Sequence, residues 1–257
     1  MKFLSVTRED HVAYVKMDRP PANALSTEMI AEIDRVLDEL AAERQIRSVL
    51  LYGEGRFFSA GADIKEFTQI KNGMEFSRLA SKGQKVFDKI ENYSKPVVAA
   101  IHGGALGGGL ELAMACHIRL VSENATLGLP ELQLGLIPGF AGTQRLPRYV
   151  GAAKAAEMLF TGQPVSGTEA VRLGLANQCF PQEELLDKAK EWVHNISKKS
   201  PSSLKAIIEL LQYEQQDRFS KGAEMEAQRF GEIFETKDAQ EGIRAFLEKR
   251  EPKFTGE

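Results

Sequence analysis

The chain has 257 residues, enough for one substantial core, with 43% hydrophobic and 27% charged residues, the range of a folded, water-soluble protein. A formal net charge of −3 speaks against general binding to nucleic acid or an anionic membrane, since both need an excess of Lys and Arg to meet phosphate. Cys116 and Cys179 lack the spacing of a zinc cluster or disulfide framework, the first ten residues hold too short an apolar patch for a signal peptide, and no run approaches the ~18 apolar residues of a membrane span, so the expected compartment is the cytoplasm.

Strand-like and helix-like stretches alternate through the first two thirds, which predicts an α/β architecture. A strand is expected over Val12–Met17. Residues 27–44 then set Ile30, Ile33, Val36, Leu37 and Leu40 on one helical stripe, with Ser26 as the N-cap. A strand over 48–52 follows, and after it a glycine-containing turn. Residues 76–91 repeat the helical pattern with Leu79, Val86, Phe87 and Ile90, and Pro96 marks the return to a strand over Val97–Ile101. A second, richer glycine turn and a further strand over 118–121 come next. Beyond about Ser166 the strand signals fade. Ser166-Gly167-Thr168-Glu169 has capping-box spacing, Ser200-Pro201 offers a cap with Pro at the first helical position, and Asp238-Ala239-Gln240-Glu241 suggests one more helix start. The stripes Leu204, Ile207, Ile208, Leu211 and Phe230, Ile233, Phe234 need cover from the core or from a second subunit.

Both glycine turns stand between an apolar strand-like run and a helix. The first is Phe57-Phe58-Ser59-Ala60-Gly61-Ala62-Asp63-Ile64-Lys65-Glu66; the second is Ile101-His102-Gly103-Gly104-Ala105-Leu106-Gly107-Gly108-Gly109-Leu110-Glu111. Small residues let a ligand approach the backbone, and the first N–H groups of a helix have no partner inside it. Two such donors converging on one oxygen would stabilise an enolate or a tetrahedral oxyanion. Purely structural turns are the alternative. No dinucleotide fingerprint, P-loop, G-x-S-x-G elbow or H-E-x-x-H occurs, and the four histidines show no metal-ligand spacing.

Glu111 falls in the first turn of the helix after the glycines, where a carboxylate can simply complement the helix dipole. Glu131 follows 20 residues later in Leu127-Gly128-Leu129-Pro130-Glu131-Leu132, an apolar stretch with no local cation. Burying such a charge is expensive unless it is paired or used, so it is a candidate for chemistry as well as for a surface loop.

Taken together, Arg19-Pro20-Pro21-Ala22-Asn23-Ala24-Leu25, the 58–66 turn, the run from Gly104 to Glu111, and Leu129-Pro130-Glu131 through Gly135-Leu136-Ile137-Pro138-Gly139 to Gly142-Thr143-Gln144-Arg145-Leu146 resemble the signature segments of crotonase-family enoyl-CoA hydratases. The ending Ala245-Phe246-Leu247-Glu248-Lys249-Arg250 is also similar, and the resemblance runs essentially end to end. It implies a crotonase-like spiral of ββα turns with a helical C-terminal region: a core with the active site over 1–198, and 199–257 for packing and oligomerisation, as a homotrimer or dimer of trimers. It implies that the backbone N–H groups of Ala62 and Gly108 hold a thioester oxygen and that Glu111 and Glu131 position and activate water. Ala60, Ala62 and Ile64, with the adjoining Asp63 and Lys65, would bind the acyl-CoA, and Gly139 would border the water. No cofactor is expected, coenzyme A being part of the substrate.

Two positions depart from the family pattern. Phe140 stands where a small residue commonly follows Pro-Gly, which bears on acyl specificity, and His117 stands where Asp commonly follows Cys, which bears on a structural hydrogen bond. Isomerisation, hydrolysis or decarboxylation of a thioester is the nearest alternative activity, and both acids being present favours hydration. A non-catalytic assembly protein is the alternative from another class.

Overall fold

The computed structural model describes residues 1–67, 73–215, 236–248, 250 and 252–256. Strands β1 (Leu4–Glu9) and β2 (Val12–Met17) form an antiparallel hairpin, closed by Asp10 and His11 at φ 44° and 69°. β1 is mostly exposed, so it carries little apolar alternation for a sequence reading to find.

Helix α1 (Thr27–Ala42) begins where Ser26 Oγ accepts the N–H of Met29 at 3.2 Å, and the expected stripe from Ile30 to Leu40 is buried. After it the chain repeats one unit. Each turn sends a strand into a large sheet, a short strand into a small sheet, and then a helix. The first turn is β3 (Ser48–Gly53), β4 (Phe57–Ser59) and, after the short α2 (Ile64–Phe67), α3 (Gly73–Glu91); the second is β5 (Val97–Ile101), β6 (Gly104–Leu106) and α4 (Gly108–Ala115). The third is β7 (Ile118–Ser122), β8 (Thr126–Gly128), a 3₁₀ turn (Glu131–Leu134) and α5 (Gly142–Thr161). This is the expected spiral of ββα turns.

After them come β9 (Val165–Ser166), α6 (Gly167–Arg172), β10 (Gln178–Phe180) and α7 (Gln182–Ser197). The large sheet runs β1-β2-β3-β5-β7-β10 and the small one β4-β6-β8-β9. In the small sheet β4 lies parallel to β6, pairing Phe57 with Gly104 and Ser59 with Ala105 across an irregularity. Small-sheet strands of two or three residues are too short to show a period, and two of them hide inside the glycine turns. The parallel strands of the large sheet are covered on both faces, which explains the unbroken apolar run of β5. One face meets the main core with α1, α3 and α4; the other meets Leu185, Ala189 and Val193 of α7.

Ser166 Oγ caps α6 through Glu169 N as its spacing suggests, at 3.2 Å. Helix α8 (Pro201–Gln215) follows Ser200, whose Oγ faces Ser203 N at 3.5 Å. Its stripe divides differently from the expectation: Ile208 is buried, whereas Ile207 and Leu211 are 53% and 54% exposed. Helix α9 (Lys237–Glu248) starts one residue before Asp238, whose carboxylate accepts the N–H groups of Thr255 and Gly256. Phe230, Ile233 and Phe234 lie outside the described residues. Among the described residues no helix is long and apolar enough to cross a membrane.

Candidate active site

The segment 19–25 is the backing of the first glycine turn. Asn23, held at φ 51°, donates to the carbonyls of Glu54 and Phe57, while the carbonyl of Asn23 accepts from Ser59 Oγ at 2.8 Å. Leu25 N then donates to Gly61 O, and Asp63 N to Leu25 O. Gly61 sits at φ +102°, and a Cβ there would stand 2.8 Å from Leu106 O and 3.2 Å from Gly108 N, so the two turns can meet only because this residue has no side chain.

The second turn folds over the first. Gly107 caps α4 at φ 51°, and its N–H goes to Gly128 O at 2.9 Å. Gly108 is the first residue of α4, and the position of a Cβ on it lies 3.3 Å from Ala62 N. The Ala62 and Gly108 peptides thus meet where the two turns cross. Among the described residues neither N–H donates to a protein acceptor. Both adjoin the positive end of the α4 dipole.

Glu111 is buried in α4, 1% exposed, and its Oε1 accepts the N–H groups of Phe140 at 2.8 Å and Gly142 at 2.6 Å. Burial pushes its carboxyl up to about 7; the Gly142 and Phe140 donors and the Arg145 charge pull the other way, while the Glu131 charge adds to the rise. Glu131 opens the 3₁₀ turn, with Oε1 3.0 Å from where a Cβ on Gly107 would be. Its Oε2 is buried with no hydrogen-bond partner among the described residues, and burial raises its carboxyl as well. Two acids whose protons are held tightly thus line the same cleft as two unsatisfied peptide donors.

That cleft has a volume of about 160 Å³ and is mainly apolar. Ala60, Ala62, Ile64, Gly108, Glu111, Glu131 and Gly139 all line it, so the structure brings most of the expected site together. Asp63 and Lys65 do not line it. The Asp63 carboxylate turns back to the Arg19 guanidinium at 2.5 Å, and Lys65 stands exposed in α2. The cleft's other wall carries residues that the sequence does not single out as site residues. Leu79, on the expected stripe of the 76–91 helix, faces the cleft with Phe76 and Ala80, opposite Leu134, Leu136 and Ile137.

Phe140 lines the cleft too. Its ring packs edge-on to Phe87, with centroids 5.2 Å apart, and it covers Gly83, where a Cβ would stand 2.3 Å from the ring. The bulk expected beside Gly139 is therefore directed at Gly108 and α3. His117 takes part in a structural hydrogen bond: Nδ1 accepts the N–H of Val97 at 3.0 Å, and burial lowers the imidazole to about 4, keeping it neutral.

The family model described as enoyl-CoA hydratase/isomerase matches residues 7–257. A probable enoyl-CoA hydratase of Bacillus subtilis is 52% identical over the full length of both chains. The short-chain-enoyl-CoA hydratase of Clostridium acetobutylicum is 40% identical, over 95% of this chain and 94% of its own. The crystal structure of an enoyl-CoA hydratase from Bacillus anthracis superposes with a TM-score of 0.95 at 37% identity, covering 99% of this chain and all of that one.

Proposed function

The chain belongs to the enoyl-CoA hydratase/isomerase family and is an enoyl-CoA hydratase with the crotonase fold, and from that premise we propose how its residues divide the addition of water to a 2-enoyl-CoA. Water is a poor nucleophile for a carbon–carbon double bond unless negative charge can pass to the thioester oxygen. The peptide N–H groups of Ala62 and Gly108 receive that oxygen and stabilise the enolate-like transition state, aided by the α4 dipole.

The acids complete the addition. Glu111, anchored through Oε1 by two backbone donors, is the ionised partner that orients water and accepts its proton as the oxygen bonds to the β-carbon. Glu131, whose Oε2 faces the cleft without a protein partner, carries the proton delivered to the α-carbon. A proton passed from Glu111 to Glu131 restores the starting state. Two carboxyls in one cleft need opposite ionisation states for this; the two donors on Glu111 Oε1 favour its anion, while burial opposes the anion at both sites. No separate cofactor is invoked; coenzyme A enters as part of the substrate, along the side of Ala60, Ala62 and Ile64.

A short acyl chain suits the cleft that Phe140 bounds, in keeping with the name of the Clostridium relative. The exposed Ile207 and Leu211 support assembly through the C-terminal helices as a trimer or dimer of trimers, and the composition supports work in the cytoplasm. The observation that carries the mechanism is the convergence of two acids of raised pKa and two unpaired peptide donors on one apolar cleft. It is tested by following loss of enoyl-thioester absorbance with crotonyl-CoA and identifying the product. Formation of 3-hydroxybutyryl-CoA supports it; an isomerised, hydrolysed or decarboxylated product in its place refutes it.

A further inference from the structure

The turn that hands two peptide donors to Glu111 is itself gripped from its far side. Arg145 of α5 is buried, 2% exposed, and its Nη1 donates to the carbonyl of Phe140 at 2.8 Å. The rest of the guanidinium is clamped to α3: Nε donates to Glu91 Oε2 at 3.0 Å, and Nη2 lies 2.6 Å from Asp88 Oδ1 and 2.9 Å from Glu91 Oε2. The second Glu91 oxygen is taken by Arg148 at 2.9 Å. A buried cation is expensive unless its donors are satisfied, and here every guanidinium nitrogen has an acceptor.

The grip is needed because the turn does not hold this shape by preference. Ala141, between the two donors to Glu111, sits at φ +69°, a left-handed conformation that is unfavourable for a residue with a Cβ. A strained residue persists only where its surroundings determine it. The carbonyl that Arg145 holds belongs to the peptide linking Phe140 to Ala141. Fixing that peptide fixes the direction of the Phe140 and Gly142 N–H groups on either side. Two bonds to one oxygen in turn stop the Glu111 carboxylate from rotating and leave its other oxygen for the cleft.

We infer that Arg145 is a positioning residue for hydration: from its clamp on Asp88 and Glu91 it holds the 140–142 turn, and through that turn it sets the orientation of Glu111. This rests on the reading of Glu111 as the base. The competing account is that Arg145 merely staples α5 to α3, in which case its loss lowers stability and leaves the chemistry of the folded enzyme alone.

The two accounts separate in a double-mutant cycle on the full-length enzyme with Arg145→Gln, Arg145→Lys and Glu111→Gln, measuring kcat and KM for crotonyl-CoA across pH with folding followed by circular dichroism. A displacement of about 1 Å in a reacting group can cost about 10²-fold, so Arg145→Gln is expected to lose at least ~10-fold in kcat with KM changed less than ~3-fold. The acid limb of its kcat/KM profile moves to higher pH. The charges facing Glu111 are Glu131 from the 3₁₀ turn and Arg145 from α5; losing the cation and loosening two donors both disfavour the Glu111 anion. Arg145→Lys recovers part of the loss by keeping the charge. In the Glu111→Gln background either Arg145 change is expected to cost nothing further in kcat. Wild-type kcat and an unmoved limb in folded Arg145 variants overturn the inference, as does a loss that simply multiplies that of Glu111→Gln. If Arg145→Gln does not fold, Arg145→Lys carries the cycle with the same criteria. A Glu111→Gln enzyme of normal rate would instead overturn the reading of Glu111 itself.

Discussion

Glu111 accepts the peptide N–H of Gly142 at only 2.6 Å, yet burial outweighs that bond and pushes its carboxyl from the ordinary 4.5 to about 7. The folded state therefore holds this proton more tightly than the unfolded chain does. Stability from this group is fully present below about pH 4.5 and is lost as pH rises to and through about 7.

Glu111→Gln is accordingly expected to make the protein more stable at about pH 8, by roughly 1–3 kcal/mol, because the amide oxygen can still accept both donors without a buried charge. The advantage shrinks as pH falls through 7 toward 4.5. Denaturant midpoints at both ends of this range decide it, and a variant less stable than the parent at the alkaline end refutes the idea.

The same substitution, and Glu131→Gln, should each lower kcat about 10²- to 10⁴-fold while leaving binding of a CoA thioester nearly intact, since the acids act on water and not on the carrier. Crotonyl-CoA turnover and equilibrium binding of a saturated thioester measure the two effects. Near-normal turnover in either variant removes that residue from the mechanism.

Gly61 and Gly107 take positive φ, whereas Gly108 needs to be small because a Cβ on it would stand 3.1 Å from the Phe140 ring and 3.3 Å from Ala62 N. Gly108→Pro deletes the proposed donor at a helical position that tolerates proline, and kcat should fall at least ~10²-fold. Gly108→Ala keeps the donor and should lose less. A folded proline variant of normal rate would place the oxyanion hole elsewhere.

Phe140→Leu and Phe140→Ala should widen the accepted acyl range. A methylene refused or admitted by an apolar pocket is worth about 10- to 200-fold in kcat/KM, so the ratio for an eight-carbon over a four-carbon enoyl-CoA should rise at least ~10-fold. Gly83→Ala, which pushes the ring toward the cleft, should lower it. Ratios unmoved in all three variants would show that the ring does not bound the acyl group.

The enzyme should sediment as a trimer or hexamer at micromolar concentration, with Ile207→Glu/Leu211→Glu weakening the assembly. A stable, active monomer of the unmodified chain would contradict this.

How much of this was legible beforehand depended on the length of the pattern. The four long central strands and α1 could be read because burial repeats over five or more residues, whereas β4, β6, β8 and β9 are too brief to repeat anything. Helix α5 had no forecast; Pro147 and the non-helical Gly151 interrupt its period. Within the site, Glu111, Glu131 and the glycines were visible as residue types. The Arg145 grip was not, because its acceptors on Asp88 and Glu91 lie 57 and 54 residues away and only the packing of α5 on α3 brings them together. Leu79 was legible as part of a helical stripe but not as cleft lining, because an apolar stripe has the same spacing whether it faces a core or a cleft.

The parallel pairing of β4 with β6 has a consequence for what this scaffold could become. The strands that lead into the two peptide donors, β4 before Ala62 and β6 before Gly108, are hydrogen-bonded neighbours, so one pairing brings both turns together. The acids arrive from other places, one on a helix and one on a 3₁₀ turn. The anion receptor and the proton-handling groups are thus independently replaceable parts. An engineer could exchange Glu111 or Glu131 for other functional groups, redirecting a thioester enolate to a different electrophile, without dismantling the cradle that makes the enolate accessible.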